Sequence, residues 1–430
     1  MSDKNKPQFR LDEEKSSAFK LMEETGESIF LTGRAGAGKS TLLTHFRQNT
    51  KKSVAVTAST GIAAINVSGQ TLHSFFGFGI DITPEKAAEG CHPRRGELIK
   101  SVDTIVIDEI SMVRADLLDA VDARLRVCRE NDSPFGGVQM IFMGDLYQLP
   151  PVLEEKDKSW FSKLYDSPYF FSARSFKNAG VKQVVLNNVY RQTEKKFIDV
   201  LNKIRVGEFS EKDLAMLNKR VKSSISRKAL KGVVYLTTTN NLAESINTEE
   251  LTRLKGEARA RQGIIIGNFP SHRIPAAQNL ILKVGAQVML LNNDSQGRWV
   301  NGDIGTVVGF GDIGVEVEIT KRGTHTLTTH RWDNVEFAYN DRLKKMESVV
   351  RGSYYQYPLK LAWAVTIHKS QGQTFDKVVI DLGKGAFAPG QAYVALSRCT
   401  SLGGLTLRQP VRREDVFIDE PVASFMSGAA

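Results

Sequence analysis

Cysteine is scarce in this chain: three in 430 residues, Cys91, Cys128 and Cys399, far apart, odd in number and without C-x-x-C spacing. That excludes a disulfide framework and fits a reducing compartment. Cys91-His92 and the pair His325 and His330 fall short of a zinc-ligand pattern. No stretch approaches about eighteen uninterrupted apolar residues, so no membrane-spanning helix is expected. The N-terminus, Met1-Ser-Asp-Lys-Asn-Lys-Pro-Gln-Phe9, has no apolar centre of a signal peptide. A cytoplasmic protein with no membrane partner is the expectation. Tandem repeats and low-complexity tracts are also missing, which sets aside solenoids, while the tail Val422–Ala430 is expected to be loose. What remains is an ordinary globular composition, 41% hydrophobic and 25% charged, long enough for two or three domains. The formal charge of +10 leans toward a polyanionic partner.

The most informative stretch is Ser28-Ile-Phe-Leu-Thr-Gly-Arg-Ala-Gly-Ala-Gly-Lys-Ser-Thr41. An apolar run feeds Gly33-x-x-x-x-Gly38-Lys39-Ser40, the phosphate-loop pattern. Phosphates must approach several backbone N–H groups at once, and Gly33, Gly36 and Gly38 leave no Cβ in the way. Thr41 and the residues after it read as a helix whose positive end faces the anion. Together with Ala37, these positions form a nucleoside triphosphate site. Lys39 is placed to reach the β/γ-phosphates, and the Ser40 hydroxyl to ligate Mg²⁺.

The residues at 11–24 place Leu11, Ala18, Leu21 and Met22 near helical spacing. Val54–Thr57, Thr104–Ile107 and Gln139–Met143 are short apolar runs, the signature of buried parallel strands. Together they outline a doubly wound domain over 1–175, with a Gly- and Pro-richer wedge at 76–103. A second α/β series, Val181–Leu186, Val233–Leu236, Val378–Leu382 and Leu405–Leu407, has no phosphate loop of its own. It assigns 176–292 and 358–430 to a second lobe, with nucleotide expected between the lobes. The segment 293–357 interrupts that lobe. Its glycines and the alternation Val315-Glu-Val-Glu-Ile-Thr320 predict a small antiparallel barrel.

Asp108-Glu109 ends the strand Thr104–Ile107. Asp108 suits the Mg²⁺ bound through Ser40, and Glu109 suits polarisation of the attacking water. Asn-Lys-x-Asp, the guanine reader of many GTPases, is missing, so ATP is favoured. Gln148, in Gly144-Asp-Leu-Tyr-Gln-Leu-Pro-Pro151, is a candidate γ-phosphate sensor. Arg191 and Arg398 are candidate fingers for the transition-state charge, although most single arginines are surface solvation.

The ordered series Gly33–Ser40, Thr57–Ala64, Gly69–Phe75, Asp108–Met112, Gly144–Pro151, Tyr190–Gln192, Thr366–Thr374 and Tyr393–Arg398 resembles the motif set of superfamily-1B helicases of the petite-integration-frequency family. Ser111–Arg126 and Pro134–Gln139 resemble that family's signature segment, and the matches run from about residue 11 to residue 407. The resemblance implies an α/β fold of two RecA-like parallel-sheet lobes, a P-loop NTPase with an SH3-like barrel inserted in the second lobe. It implies an ATP- and Mg²⁺-dependent motor, close to a bare bacterial-type core, that moves 5′→3′ on single-stranded DNA and opens duplexes. Repair, recombination and telomere maintenance are the processes such motors serve. Lys39, Ser40, Asp108, Glu109, Gln148, Arg191 and Arg398 carry over by position. The family's adenine-reading Gln is replaced by Lys15, and Gln8 is the expected substitute.

For the nucleic-acid track the resemblance points to Thr60, Gly61, Thr71, His73, Ser74 and Phe75 in the first lobe, and to His368, Lys369, Ser370 and Gln371 in the second. Flat rings such as His73 and Phe75 offer stacking surfaces worth about 1–3 kcal/mol per base; Phe75 beside Phe76 also reads as core. Arg94, Arg95 and Lys100 read as a solvated face. The expected partners are single strands and single-strand/duplex junctions, with RNA–DNA hybrids and G-quadruplexes as further substrates and a monomer as the working state. Two competing readings remain: the motor subunit of a recombination exonuclease, and a nucleotide-gated switch that does not translocate.

Overall fold

The computed structural model describes residues 11–79, 81–90, 92–192, 194–222, 232–340 and 345–428. The chain divides into two compact units. The first contains residues through Asp145, then Pro151–Tyr190 and Phe337–Ser348; the second contains Leu146–Pro150, Arg191–Glu336 and Val349 onward.

In the first unit the apolar runs pair as a six-stranded sheet in the order Gln70–Thr71, Val54–Ala58, Thr104–Asp108, Gln139–Gly144, Ile29–Gly33, Lys182–Leu186. Every neighbouring pair is parallel. Strands buried on both faces need helices to cover them, which is why these runs are continuously apolar. Helix Glu13–Glu24 contributes Ala18 and Met22, and helix Lys39–Asn49 contributes Leu42, Leu43 and Phe46, to a core with Ile29, Leu31, Val56, Val106, Ile141 and Met143. Asp12 caps the first helix by accepting from the Lys15 N–H at 2.8 Å. Lys52 fastens the sheet from below, its Nζ donating to Met22 O, Thr25 O and Gln139 Oε1 at 2.6–2.8 Å.

One strand lies elsewhere than the sequence predicts. Val181–Leu186 was expected in the second lobe, yet Lys182–Leu186 forms the edge of the first sheet beside Ile29–Gly33. Gly33 explains the fit: a Cβ there would stand 2.5 Å from Leu186 O. The wedge region holds two short helices, Pro84–Ala88 and Pro93–Lys100, whose Ala87, Leu98 and Ile99 are buried.

The second unit has its own parallel sheet, ordered Ala364–Thr366, Val234–Thr237, Val378–Asp381, Leu405–Leu407. A five-stranded antiparallel sheet accompanies it: Gly323–Leu327, Val315–Ile319, Ile304–Phe310, Gln287–Leu290 and Leu359–Leu361. Val315, Val317 and Ile319 face a core with Trp299, Val307 and Leu327, while Glu316 and Glu318 face out, as the period of two requires. Among the described residues no helix is long and apolar enough to cross a membrane, and no cluster of three or more His, Cys, Asp or Glu side chains offers a metal cage.

Candidate nucleotide and nucleic-acid sites

Parallel pairing brings the C-terminal ends of the first unit's strands to one edge, where ligands of open α/β sheets gather. Strand Ile29–Gly33 delivers the phosphate loop there. Gly36 and Gly38 have φ of 81° and 85°, a region that costs a side chain energy and costs glycine little. Gly38 then caps helix Lys39–Asn49. The Lys39 ammonium folds back on the loop, donating to Gly33 O at 2.7 Å and Arg34 O at 3.3 Å. Ser40 and Thr41 lie exposed at the start of the helix.

Strand Thr104–Asp108 delivers the acidic pair to the same edge. Burial, then the neighbouring Glu109 carboxylate, push Asp108 up to about 7, against the Glu109 N–H and the charge of Lys39. A cation at this carboxyl would bring it back to the ionised form, and a carboxylate oxygen and a hydroxyl, the groups Asp108 and Ser40 offer, are donors that Mg²⁺ takes. Glu109 itself sits at φ 51°, ψ 45°, a left-handed conformation that is uncommon outside glycine and concentrates at functional sites.

Lys15 packs directly on the loop: a Cβ on Gly38 would come within 2.7 Å of its Cε. Burial works against its charge, but Asp12, 2.7 Å from its Nζ, and the Tyr190 hydroxyl outweigh that and raise it. The ammonium also lies 3.9 Å from the centre of the Tyr190 ring, and the Tyr190 N–H donates to Gly36 O at 3.0 Å. Lys15, Asp12 and Tyr190 thus form one cluster against the phosphate loop. Gln8 lies outside the described residues.

The first unit's nucleic-acid candidates follow the strand Val54–Ala58. Thr60 caps helix Gly61–Asn66 and Thr71 caps helix Leu72–Phe76, each hydroxyl accepting a backbone N–H at 3.2 Å. His73 is half-buried, and burial keeps its imidazole below the ordinary pKa. Phe75 corrects the stacking expectation: it is 0% exposed and packs edge-on against Phe76 at 4.9 Å, so it supports the segment from inside. Arg95 also departs from expectation. It is half-buried and donates to Ser74 O and Phe75 O at 2.6 Å, tying the end of this helix.

In the second unit, strand Ala364–Thr366 leads into the turn His368–Ser370. Lys369 is exposed and His368 half-buried. The Gln371 amide nitrogen is buried and meets no acceptor among the described residues. Ser370 is not the outward phosphate contact expected: it is fully buried, its Oγ donates to Ile367 O at 2.7 Å, and its carbonyl faces inward. Both candidate arginine fingers close on this turn. Arg398, 1% exposed, donates from Nε to Val394 O at 2.9 Å, from Nη1 to Gln373 O and Ser370 O at 3.3 and 3.4 Å, and from Nη2 to Ser397 Oγ at 2.9 Å. Arg191 Nη2 reaches Gly372 O at 3.4 Å. Gln148 is buried in the segment Leu146–Pro150, whose Tyr147 ring carries Arg205 at 4.4 Å. No sequence signal announced that one turn would join the arginines to the strand-binding motif; only their packing reveals it.

Comparison with known proteins gives a consistent picture. The model of the PIF1-like helicase family matches residues 10–215. The chain is 36% identical over 419 residues to the ATP-dependent DNA helicase Pif1 of Bdellovibrio bacteriovorus, covering 93% of this chain and 88% of that protein. It is 38% identical over 392 residues to the ATP-dependent DNA helicase of the same family from Danio rerio, covering 89% of this chain but only 58% of the fish protein. Among solved structures, unliganded Pif1 from Bacteroides sp. superposes with a TM-score of 0.90 at 38% identity, over 98% of this chain and 97% of that one. The Bacteroides protein in complex with ADP-AlF4 gives 0.90 at 37% identity, and bound to ssDNA 0.71 at 38%, over the same shares of the chains.

Proposed function

The chain belongs to the PIF1-like helicase family, and from that premise we propose that it is an ATP-dependent DNA helicase that translocates 5′→3′ along single-stranded DNA and unwinds duplexes. One observation supports the reading beyond family likeness: Arg191 and Arg398 both reach carbonyls of the turn 370–373, through long hydrogen bonds of 3.3–3.4 Å. An arginine drawn toward a γ-phosphate would release those carbonyls, and bonds of that length are weak enough to exchange, which links nucleotide state to the turn.

In this reading the Gly33–Ser40 loop cradles the phosphates, Lys39 leaves the loop carbonyls for the β/γ-phosphates, and Glu109 orients the attacking water. Asp108 and Ser40 would hold Mg²⁺, which supplies charge neutralisation on the phosphate oxygens when bound. Gln148 registers the γ-phosphate, and Arg191 and Arg398 stabilise transition-state charge. Thr60, Gly61, Thr71, His73 and Ser74, and likewise His368, Lys369 and Gln371, are the strand contacts. Single-strand/duplex junctions are the working substrate and a monomer the working form.

The test is unwinding of duplexes carrying a 5′ or a 3′ single-stranded tail, with ATPase followed in parallel. The 5′-tailed duplex should open and the 3′-tailed one should not. ATPase stimulated by single strands without any unwinding would instead favour a nucleotide-gated switch.

A further inference from the structure

Outside the motifs, the loop between strand Val378–Asp381 and helix Gln391–Ser397 exposes a single large aromatic side chain. Phe387 is 64% exposed, although a phenylalanine gains most when buried. It is not a loose tip. Its N–H donates to Gln391 Oε1 at 3.0 Å, and the preceding Ala386 N–H to Asp415 Oδ1 at 3.0 Å. At the loop's end Gly390, with φ 71°, lies so close to the segment Leu146–Pro150 that a Cβ would stand 2.4 Å from Tyr147 O. The ring is therefore held outward by its own backbone. It lies nearly parallel to the His368 imidazole, with centroids 6.4 Å apart and planes at 20°. Burial keeps that imidazole toward its neutral form, which suits ring-on-ring packing.

Lys369 follows His368 in the same turn and is exposed.

We propose that Phe387, backed by His368, is the stacking platform for one unpaired base of the translocating strand. This deepens the helicase reading and rests on it. Because the loop leans on the segment that carries Gln148, the platform is also placed to shift with the nucleotide sensor.

The experiment measures fluorescence-anisotropy affinity for a thymidine oligonucleotide and for an abasic strand of the same length at one fixed salt concentration. Stacking onto one ring predicts that Phe387→Ala weakens the thymidine strand by about 5- to 100-fold. Phe387→Leu should lose as much, and Phe387→Tyr should stay within about 2-fold of the parent. On the abasic strand, the parent and Phe387→Ala should agree within about 2-fold, because no base is there to lose. Equal weakening on both strands, or rescue by Leu, would overturn the platform in favour of a packing role. A parent chain that binds no single strand refutes the helicase reading; a parent that binds while Phe387→Ala binds equally well refutes only the platform.

Discussion

Arg398 offers the sharpest test, because one substitution separates the interior anchoring the structure gives it from the finger role proposed for it. Its guanidinium is 1% exposed and donates to Val394 O, Ser370 O, Gln373 O and Ser397 Oγ. Arg398→Ala removes a buried donor from each; among the described residues Val394 O and Ser370 O keep a second one, from Ser397 Oγ and the Gln373 N–H at 3.0 Å, whereas Gln373 O and Ser397 Oγ do not. The two contacts at 2.9 Å are charge-assisted bonds of normal length, each worth about 1.5–3 kcal/mol. Those at 3.3 and 3.4 Å are weak. Removing the buried charge returns part of the loss, since its desolvation no longer opposes folding. A net destabilisation of about 3 kcal/mol follows, which for a unit of this size lowers the thermal midpoint by roughly 6–12 °C. Unfolding followed by tryptophan fluorescence reads this directly, because Trp299, Trp332 and Trp363 all lie in the second unit. ATP turnover below the midpoint should fall by about 10³-fold or more, with ATP affinity near that of the parent. A variant that melts within about 2 °C of the parent refutes the interior anchoring. One that melts early yet turns over ATP normally while folded refutes the finger.

Lys39→Ala should abolish ATP hydrolysis and unwinding while leaving single-strand binding within about 2-fold of the parent, measured by anisotropy; loss of strand binding in a folded variant contradicts the division of roles. Gly33→Ala places a Cβ 2.5 Å from Leu186 O, so the edge strand Lys182–Leu186 must move, and denaturant unfolding should show a loss of about 2 kcal/mol or more. Parent-like stability would mean that the edge pairing is softer than its geometry implies. Asp213 tests acid sensitivity: Ser210 Oγ and N–H, helped by Lys203, hold its carboxyl down to about 2. A depressed folded value stabilises the charged form above the unfolded value near 4, and that gain fades as pH falls toward 2. Asp213→Asn should therefore cost about 1 kcal/mol at pH 7 and almost nothing at pH 2, and an equal cost at both would assign the loss to packing instead.

What the sequence made legible was chemistry carried by fixed spacings. The phosphate loop, the strand ending in Asp108-Glu109 and the alternating strand Val315–Ile319 all stand where their patterns put them, because each pattern expresses a local constraint: glycine backbone, strand period, burial of one face. What it hid was pairing between distant segments. Lys182–Leu186 reads as a generic apolar strand, and nothing within it says which sheet it joins; the answer lies in the missing Cβ of Gly33, far away in sequence. Phe75 and Phe387 make the same point in opposite senses. Each is a phenylalanine in a Gly-flanked, motif-adjacent stretch, yet Phe75 turns into the core against Phe76 while Phe387 is held out over His368. The difference comes from what lies beneath each loop, a helix end tied by Arg95 in one case and backbone pinned by Gln391 and Asp415 in the other. The same reasoning explains why the arginines were visible as candidates and their attachment to the 370–373 turn was not. Motif spacing records which side chain must be present, whereas packing decides which carbonyl that side chain holds.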